Sequence, residues 1–268
     1  MNRVPIEKND KTKAFGVEQG NTPYRLRQAR YYDLGVDCAA WASDHFAATG
    51  RAVDLLDIGT NTGVARRYTE VHPGAEHINY HGVDIFPHGK EFVYKHESWK
   101  LHHLNLEQGL TGLDSDRYDI VVCEQVLEHL HNPHVALAEM YRVLRPGGRI
   151  VLGVPIFPPG LDVIRKNVVP MTDRLFKVKK VRGHVQAWSK GSFLELIHRS
   201  CPGLAIETTR GFRIISGGIL RPLEYQRWWW RFNRGLGKLL PGLCIEIQVV
   251  AKKPQSGKGV NYEARYAA

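Results

Sequence analysis

Between residues 54 and 155, short apolar runs alternate with longer segments of helical periodicity, and several of the runs have no polar face. The clearest is Ile120-Val121-Val122-Cys123. A strand that is apolar at every position must be covered on both sides, which is the condition of a parallel sheet between two helical layers. Asp54-Leu55-Leu56-Asp57-Ile58, stopping at Gly59, predicts the first such strand. His77 to Ile85, Leu101 to Leu106, Tyr118 to Gln125 and Arg149 to Pro155 follow, most of them separated by enough chain for a crossover helix. Two later strands, about Ala205 to Thr209 and Cys244 to Ala251, complete the sheet.

Three helices stand out. One runs from about Tyr24 to Ala48. Another spans Pro133 to Leu144, with Val135, Leu137, Ala138, Met140, Tyr141 and Leu144 as its apolar side, Asn132 as N-cap and Pro146-Gly147-Gly148 as its end. A third starts after Trp188, with Ser189 as its cap. The 268 residues, 43% of them hydrophobic, suffice for a large core. Residues 1–22 read as a mobile polar arm, 23–253 as one domain with insertions near 156–200 and 214–243, and 254–268 as a mobile tail.

No stretch reaches the roughly 20 apolar residues of a membrane span, and MNRVPIEKNDK lacks the apolar centre of a secretory signal, so the expected location is cytoplasmic. The four scattered cysteines predict reduced thiols and no structural zinc. Charge is uneven. Residues 1–156 hold 17 Lys+Arg and 20 Asp+Glu, a net of −3, leaving +13 of the total +10 for the remainder. A basic half raises the local potential for an anionic partner, whether nucleic acid, a phosphorylated small molecule or an acidic lipid surface.

In a sheet of this kind ligands bind beyond the carboxyl ends of the strands. There the chain reads Asp57-Ile58-Gly59-Thr60-Asn61-Thr62-Gly63, a strand, a tight turn and the start of a helix. Gly59 and Gly63 permit positive φ and let the backbone lie against a ligand. The next strand, His81-Gly82-Val83-Asp84, ends in a carboxylate about twenty residues after the turn, the spacing at which nucleotide folds place an acid against ribose hydroxyls.

Together with Tyr118-Asp119-Ile120-Val121-Val122-Cys123-Glu124-Gln125-Val126-Leu127-Glu128-His129-Leu130 and Arg142-Val143-Leu144-Arg145-Pro146-Gly147-Gly148, these runs resemble the class I S-adenosylmethionine-dependent methyltransferases whose first turn reads D-x-G-x-G-x-G. The resemblance covers roughly residues 50–155. It implies a Rossmann-like, mostly parallel sheet with helices on both faces and an antiparallel last strand, and S-adenosylmethionine as cofactor. Two positions depart from the family: Asn61 replaces the middle glycine, and Asn105 stands where many relatives have Asp near the adenine. Asn is the side chain that best tolerates a left-handed conformation, and its amide still donates and accepts.

By the same resemblance, Gly59, Asn61, Gly63 and nearby backbone face the methionine portion. Asp84 clamps the ribose, and Asp57 orients the turn or the cofactor's amine. Asn105 and Leu106 border the adenine, while Glu124 and Gln125 lie close to the methyl donor. Glu128 and His129 are assigned to capping and packing.

Methyl transfer needs alignment and exclusion of water more than a protein nucleophile. An acceptor hydroxyl or ammonium still needs a base, for which His184 is one candidate, with an ordinary polar loop histidine as the alternative reading. The 156–200 insertion carries Lys177, Lys179, Lys180 and Arg182, suited to an acidic acceptor. Gly217 to Gly242, with Trp228-Trp229-Trp230 among Arg221, Arg227, Arg231 and Arg234, is expected to form a lid or a peripheral membrane contact beside the acceptor site. Three consecutive tryptophans cannot share one helix face. The leading expectation is methyl transfer to a small-molecule or lipid-linked acceptor. An RNA methyltransferase ranks below it for want of an RNA-binding module, and a non-catalytic binding protein keeping the fold is the third reading.

Overall fold

A computed structural model of the chain describes residues 26–61, 63–85, 99–158, 185–216 and 218–255. Among these described residues seven strands form one sheet: β1 (Val53–Ile58), β2 (Ile78–Asp84), β3 (Lys100–His103), β4 (Tyr118–Glu124), β5 (Leu144–Pro155), β6 (Ala205–Phe212) and β7 (Glu246–Lys252). Their order is β3-β2-β1-β4-β5-β7-β6. β1 to β5 pair in parallel, and β7 lies antiparallel to both β5 and β6. The helices around them are α1 (Ala29–Thr49), α2 (Val64–Glu70), α3 (Pro133–Val143), α4 (Lys190–Ser200) and α5 (Arg227–Leu239). The mostly parallel α/β sheet with an antiparallel last strand is thus the architecture found.

Alternation along β1 divides the interior into two layers. Val53 and Leu55 pack with Leu34, Cys38 and Ala42 of α1 and Ala65 of α2. Leu56 and Ile58 face the opposite layer, with Leu137 and Met140 of α3 and Phe193 and Ile197 of α4. Each such side chain contributes about 1.5–3 kcal/mol on burial. Both phases of the alternation are therefore apolar, and the run looks continuous in sequence.

Several boundaries differ from expectation for local reasons. β3 stops at His103, because Asn105 Oδ1 accepts the Glu107 N–H at 3.0 Å and opens a 3-10 turn, Leu106–Gln108. β5 begins at Leu144, because Leu144 pairs with Tyr118 ahead of a bulge that resets the register at Ile120 and Arg149. Asn132 does not cap α3 through its side chain. The Glu107 carboxylate instead accepts the backbone N–H groups of His131 at 2.5 Å and Asn132 at 3.3 Å. Ser189 caps α4 as expected, in a reciprocal box with Ser192.

α1 leads back antiparallel to β1, so its first turns sit at the carboxyl edge of the sheet, where buried charges hold them. Arg30 lies 3.3 Å from Glu124 on β4 and 2.9 Å from Glu246 on β7, while Arg213 meets the other Glu246 oxygen at 2.8 Å. Asp33 binds Arg234 of α5, and Asp37 binds Arg210 of β6. Breaking one partner of such buried pairs leaves an uncompensated charge, so the network fixes where α1 and α5 sit.

Among the described residues no helix is long and apolar enough to cross a membrane. The expected arm at 1–22, residues 159–184 of the first insertion and the tail from 256 lie outside the described residues.

Candidate cofactor and acceptor site

The turn after β1 is built on positive φ. Gly59 is at 73°, Asn61 at 43° and Gly63 at 77°. A Cβ on Gly59 would lie 2.2 Å from Val126 Cγ2 in the loop after β4, so both conformation and space require glycine there. The Gly59 and Thr60 N–H groups donate to the Val83 carbonyl at 2.7 and 3.2 Å, and Gly63 N–H donates to the Thr60 carbonyl at 2.7 Å. Asn61 takes the left-handed conformation that its side chain tolerates best among non-glycine residues, and its N–H donates to Asp84 Oδ2 at 2.8 Å. The acid at the end of β2 therefore closes the turn at the end of β1.

Asp57 lies beneath this turn. It is buried, and its Oδ2 has no hydrogen-bond partner among the described residues. Burial first, then the neighbouring charges of Asp84 and Glu124, push its carboxyl up to about 7. A site with several mutually repelling carboxylates and an unsatisfied buried oxygen is electrostatically suited to a cation.

At the end of β4 the two expected residues diverge. Glu124 is buried, pushed up to about 7 chiefly by burial, and turned along the sheet rather than outward. Its Oε1 accepts from Gln248 Nε2 at 2.5 Å, and it passes Gly153, where a Cβ would lie 2.1 Å from Oε2. Gln125 has φ 58° and donates its N–H to the Gly153 carbonyl at 2.8 Å, while its Nε2 is buried without a partner among the described residues. Strained non-glycine conformations concentrate at functional sites, and Asn61 and Gln125 follow the carboxyl ends of two adjacent strands, β1 and β4.

Asn105 and Leu106 follow β3: the Asn105 carbonyl oxygen is spent on its turn, and Leu106 is buried. His184 and Thr62 lie outside the described residues.

Glu128, assigned from the sequence to capping and packing, is buried more completely than that assignment required. It sits in the 3-10 turn Leu127–His129, is 0% exposed, and neither carboxyl oxygen has a hydrogen-bond partner among the described residues. Burial pushes it up to about 8. Its backbone carbonyl accepts the N–H groups of Val185 and Gln186 at 2.8 and 3.0 Å, tying this part of the 156–200 insertion to the turn after β4. The signal in sequence was a single acid within Val126-Leu127-Glu128-His129-Leu130, between apolar neighbours.

A left-handed turn after β1, an acid ending β2 and a strained residue after β4 lie at the carboxyl edge of the sheet, where open α/β sheets bind their ligands. Residues 56–152 match the family model for the methyltransferase domain. An uncharacterized 37.1 kDa protein in transposon TN4556 of Streptomyces fradiae is 41% identical over 83 residues, 29% of this chain and 22% of that protein. A ubiquinone biosynthesis O-methyltransferase of Psychrobacter arcticus is 26% identical over 167 residues, 57% of this chain and 60% of that protein. The chain thus spans less than two thirds of these relatives. The S-adenosylmethionine dependent methyltransferase of Mesorhizobium loti shares the fold at a TM-score of 0.50 and 17% identity, over 76% of this chain and 92% of that one.

Across residues 56–152 the chain carries a methyltransferase domain, in the fold it shares with the S-adenosylmethionine dependent methyltransferase of Mesorhizobium loti. The unsatisfied buried Asp57 oxygen fits the cationic amine of S-adenosylmethionine, the cofactor that a methyltransferase domain of this fold implies.

Proposed function

We propose that this protein transfers the methyl group of S-adenosylmethionine to a small-molecule or lipid-linked acceptor bearing an anionic group. The observation that carries the reading is the buried Asp57 carboxyl, unsatisfied at Oδ2, beneath a turn closed by Asp84. The bound cofactor supplies an electrophilic methyl group on a sulfonium centre. Asp57 faces the cofactor's amine, Asp84 holds the ribose while keeping the Asn61 N–H, and the backbone of the turn from Gly59 to Gly63 lies against the methionine portion. Asn105 and Leu106 border the adenine. Gln125 lies nearest the methyl donor, and Glu124 contributes by fixing the end of β4 to Arg30 and Gln248.

A lipid-linked acceptor is supported by the Psychrobacter arcticus relative, whose name places it in ubiquinone biosynthesis. The anionic preference is supported by the basic half of the chain. With a hydroxyl acceptor, its oxygen would bond to the methyl carbon as the carbon–sulfur bond breaks and leaves the neutral thioether, and the hydroxyl proton would pass to a base, a role we assign to His184. Calorimetric titration with S-adenosylmethionine tests the cofactor side: saturable binding that Asp84→Ala weakens supports the reading. Absence of binding by well-folded protein overturns it.

A further inference from the structure

We propose that the outer face of α5 docks this protein on an anionic bilayer surface. Trp228, Phe232 and Leu239 are 58%, 46% and 77% exposed. Their spacing of four and seven residues puts them on one line along the helix. Leu240, Leu243 and Ile245 continue the exposed apolar surface beyond its end.

The helix cannot roll to hide this line, because its other face is fully committed. Trp229, Trp230, Asn233 and Gly237 are buried. Trp230 packs edge-on against Tyr32 with ring centroids 5.5 Å apart, and Arg234 lies over the Trp230 ring while binding Asp33. Asn233 accepts the Ile215 N–H at 3.0 Å and donates to the Trp229 carbonyl at 3.2 Å. A Cβ on Gly237 would lie 1.9 Å from the Gly211 carbonyl oxygen, so helix and strand meet backbone to backbone. Of the arginines expected to meet anionic groups, Arg234 is thus turned inward.

The charge around the exposed line selects the occupant. Arg227, Arg231 and Lys238 are exposed, and residues 226–245 contain no Asp or Glu. Aromatic and apolar side chains mixed with cations and no acids match a surface that is apolar below and anionic above. A helix of 13 residues, about 20 Å long, lies on such a surface and does not cross it. α5 packs with Phe212 at the end of β6 and with Leu26 and Ala29 at the start of α1, so docking brings the carboxyl edge of the sheet toward the lipid. This deepens the lipid-linked reading without depending on it, since docking needs neither cofactor nor acceptor.

The test is co-sedimentation of the full chain with vesicles of phosphatidylcholine alone or with about 30% phosphatidylglycerol, at low and high salt. Salt-sensitive binding to the anionic vesicles is expected. Arg231→Gln with Lys238→Gln should weaken it about thirtyfold, and Trp228→Ser with Phe232→Ser about tenfold or more, both variants unfolding at the wild-type temperature. No binding by the wild type, or binding unchanged in both variants, overturns the proposal. Concentration-dependent dimerisation lost in the Trp228→Ser, Phe232→Ser variant, with no vesicle binding, would assign the face to a second copy instead.

Discussion

The backbone N–H of Asn61 donates to Oδ2 of Asp84 across 2.8 Å, so the residue that departs from the family's glycine pattern is held by the acid that ends the neighbouring strand. A glycine would adopt the same left-handed turn without strain and keep the same backbone hydrogen bond, so the contact with Asp84 does not depend on the Asn side chain.

This relationship predicts opposite effects for two substitutions. Asp84→Ala removes a charge-assisted hydrogen bond worth about 1.5–3 kcal/mol, and should weaken S-adenosylmethionine binding roughly tenfold or more by calorimetry. Asn61→Gly should retain binding and leave the unfolding temperature unchanged or slightly raised. Loss of binding in Asn61→Gly would show that the Asn side chain itself touches the cofactor.

Asp57 makes cofactor affinity depend on pH. Its folded value is raised from 3.8 to about 7, so between those values the folded protein holds a proton that the unfolded chain has released, and stability attributable to this group falls as pH rises through 7. A cationic ligand favours the carboxylate, so binding should tighten as pH rises from 6 to 8 with net proton release, measured by calorimetry in buffers of different ionisation enthalpy. Asp57→Asn should flatten this dependence.

Glu128 gives a stability prediction with the same sign. Its carboxyl moves from 4.5 to about 8 on folding, and the resulting cost grows with pH across that window. Glu128→Gln should therefore raise the unfolding temperature relative to wild type by an amount that widens from pH 5 to pH 8. A constant difference across that range would show that the carboxyl has an ionic partner.

The three tryptophans of α5 should separate cleanly. Trp230→Ala empties a buried site and should destabilise by about 3–5 kcal/mol in denaturant unfolding. Trp228→Ala, at an exposed position, should stay within about 0.5 kcal/mol. Equal losses would mean that Trp228 is also part of the core.

The central strands were readable because they are buried on both faces, as at Ile120 to Cys123, where every residue had to be apolar. The Gly59 turn and Asp84 were readable because positive φ and a strand-end acid leave local marks. Asn132 misled because the acid that serves the start of α3, Glu107, comes from a turn 25 residues earlier. The pairing of Arg30 with Glu124 and Glu246 was invisible for the same reason: each residue alone looks like a surface charge, and only the fold brings them together. Glu128 was assigned to capping and packing because an acid within an apolar run reads that way until its carboxyl is seen to lack a hydrogen-bond partner among the described residues, with only His129 Nε2 nearby at 3.9 Å.

The most direct measurement is incubation of the purified protein with methyl-labelled S-adenosylmethionine and a fractionated cell extract, followed by identification of the labelled product. The account predicts label in a small or lipid-soluble anionic product, lost with Asp84→Ala. Label confined to RNA, or no transfer by protein that binds the cofactor, would contradict it.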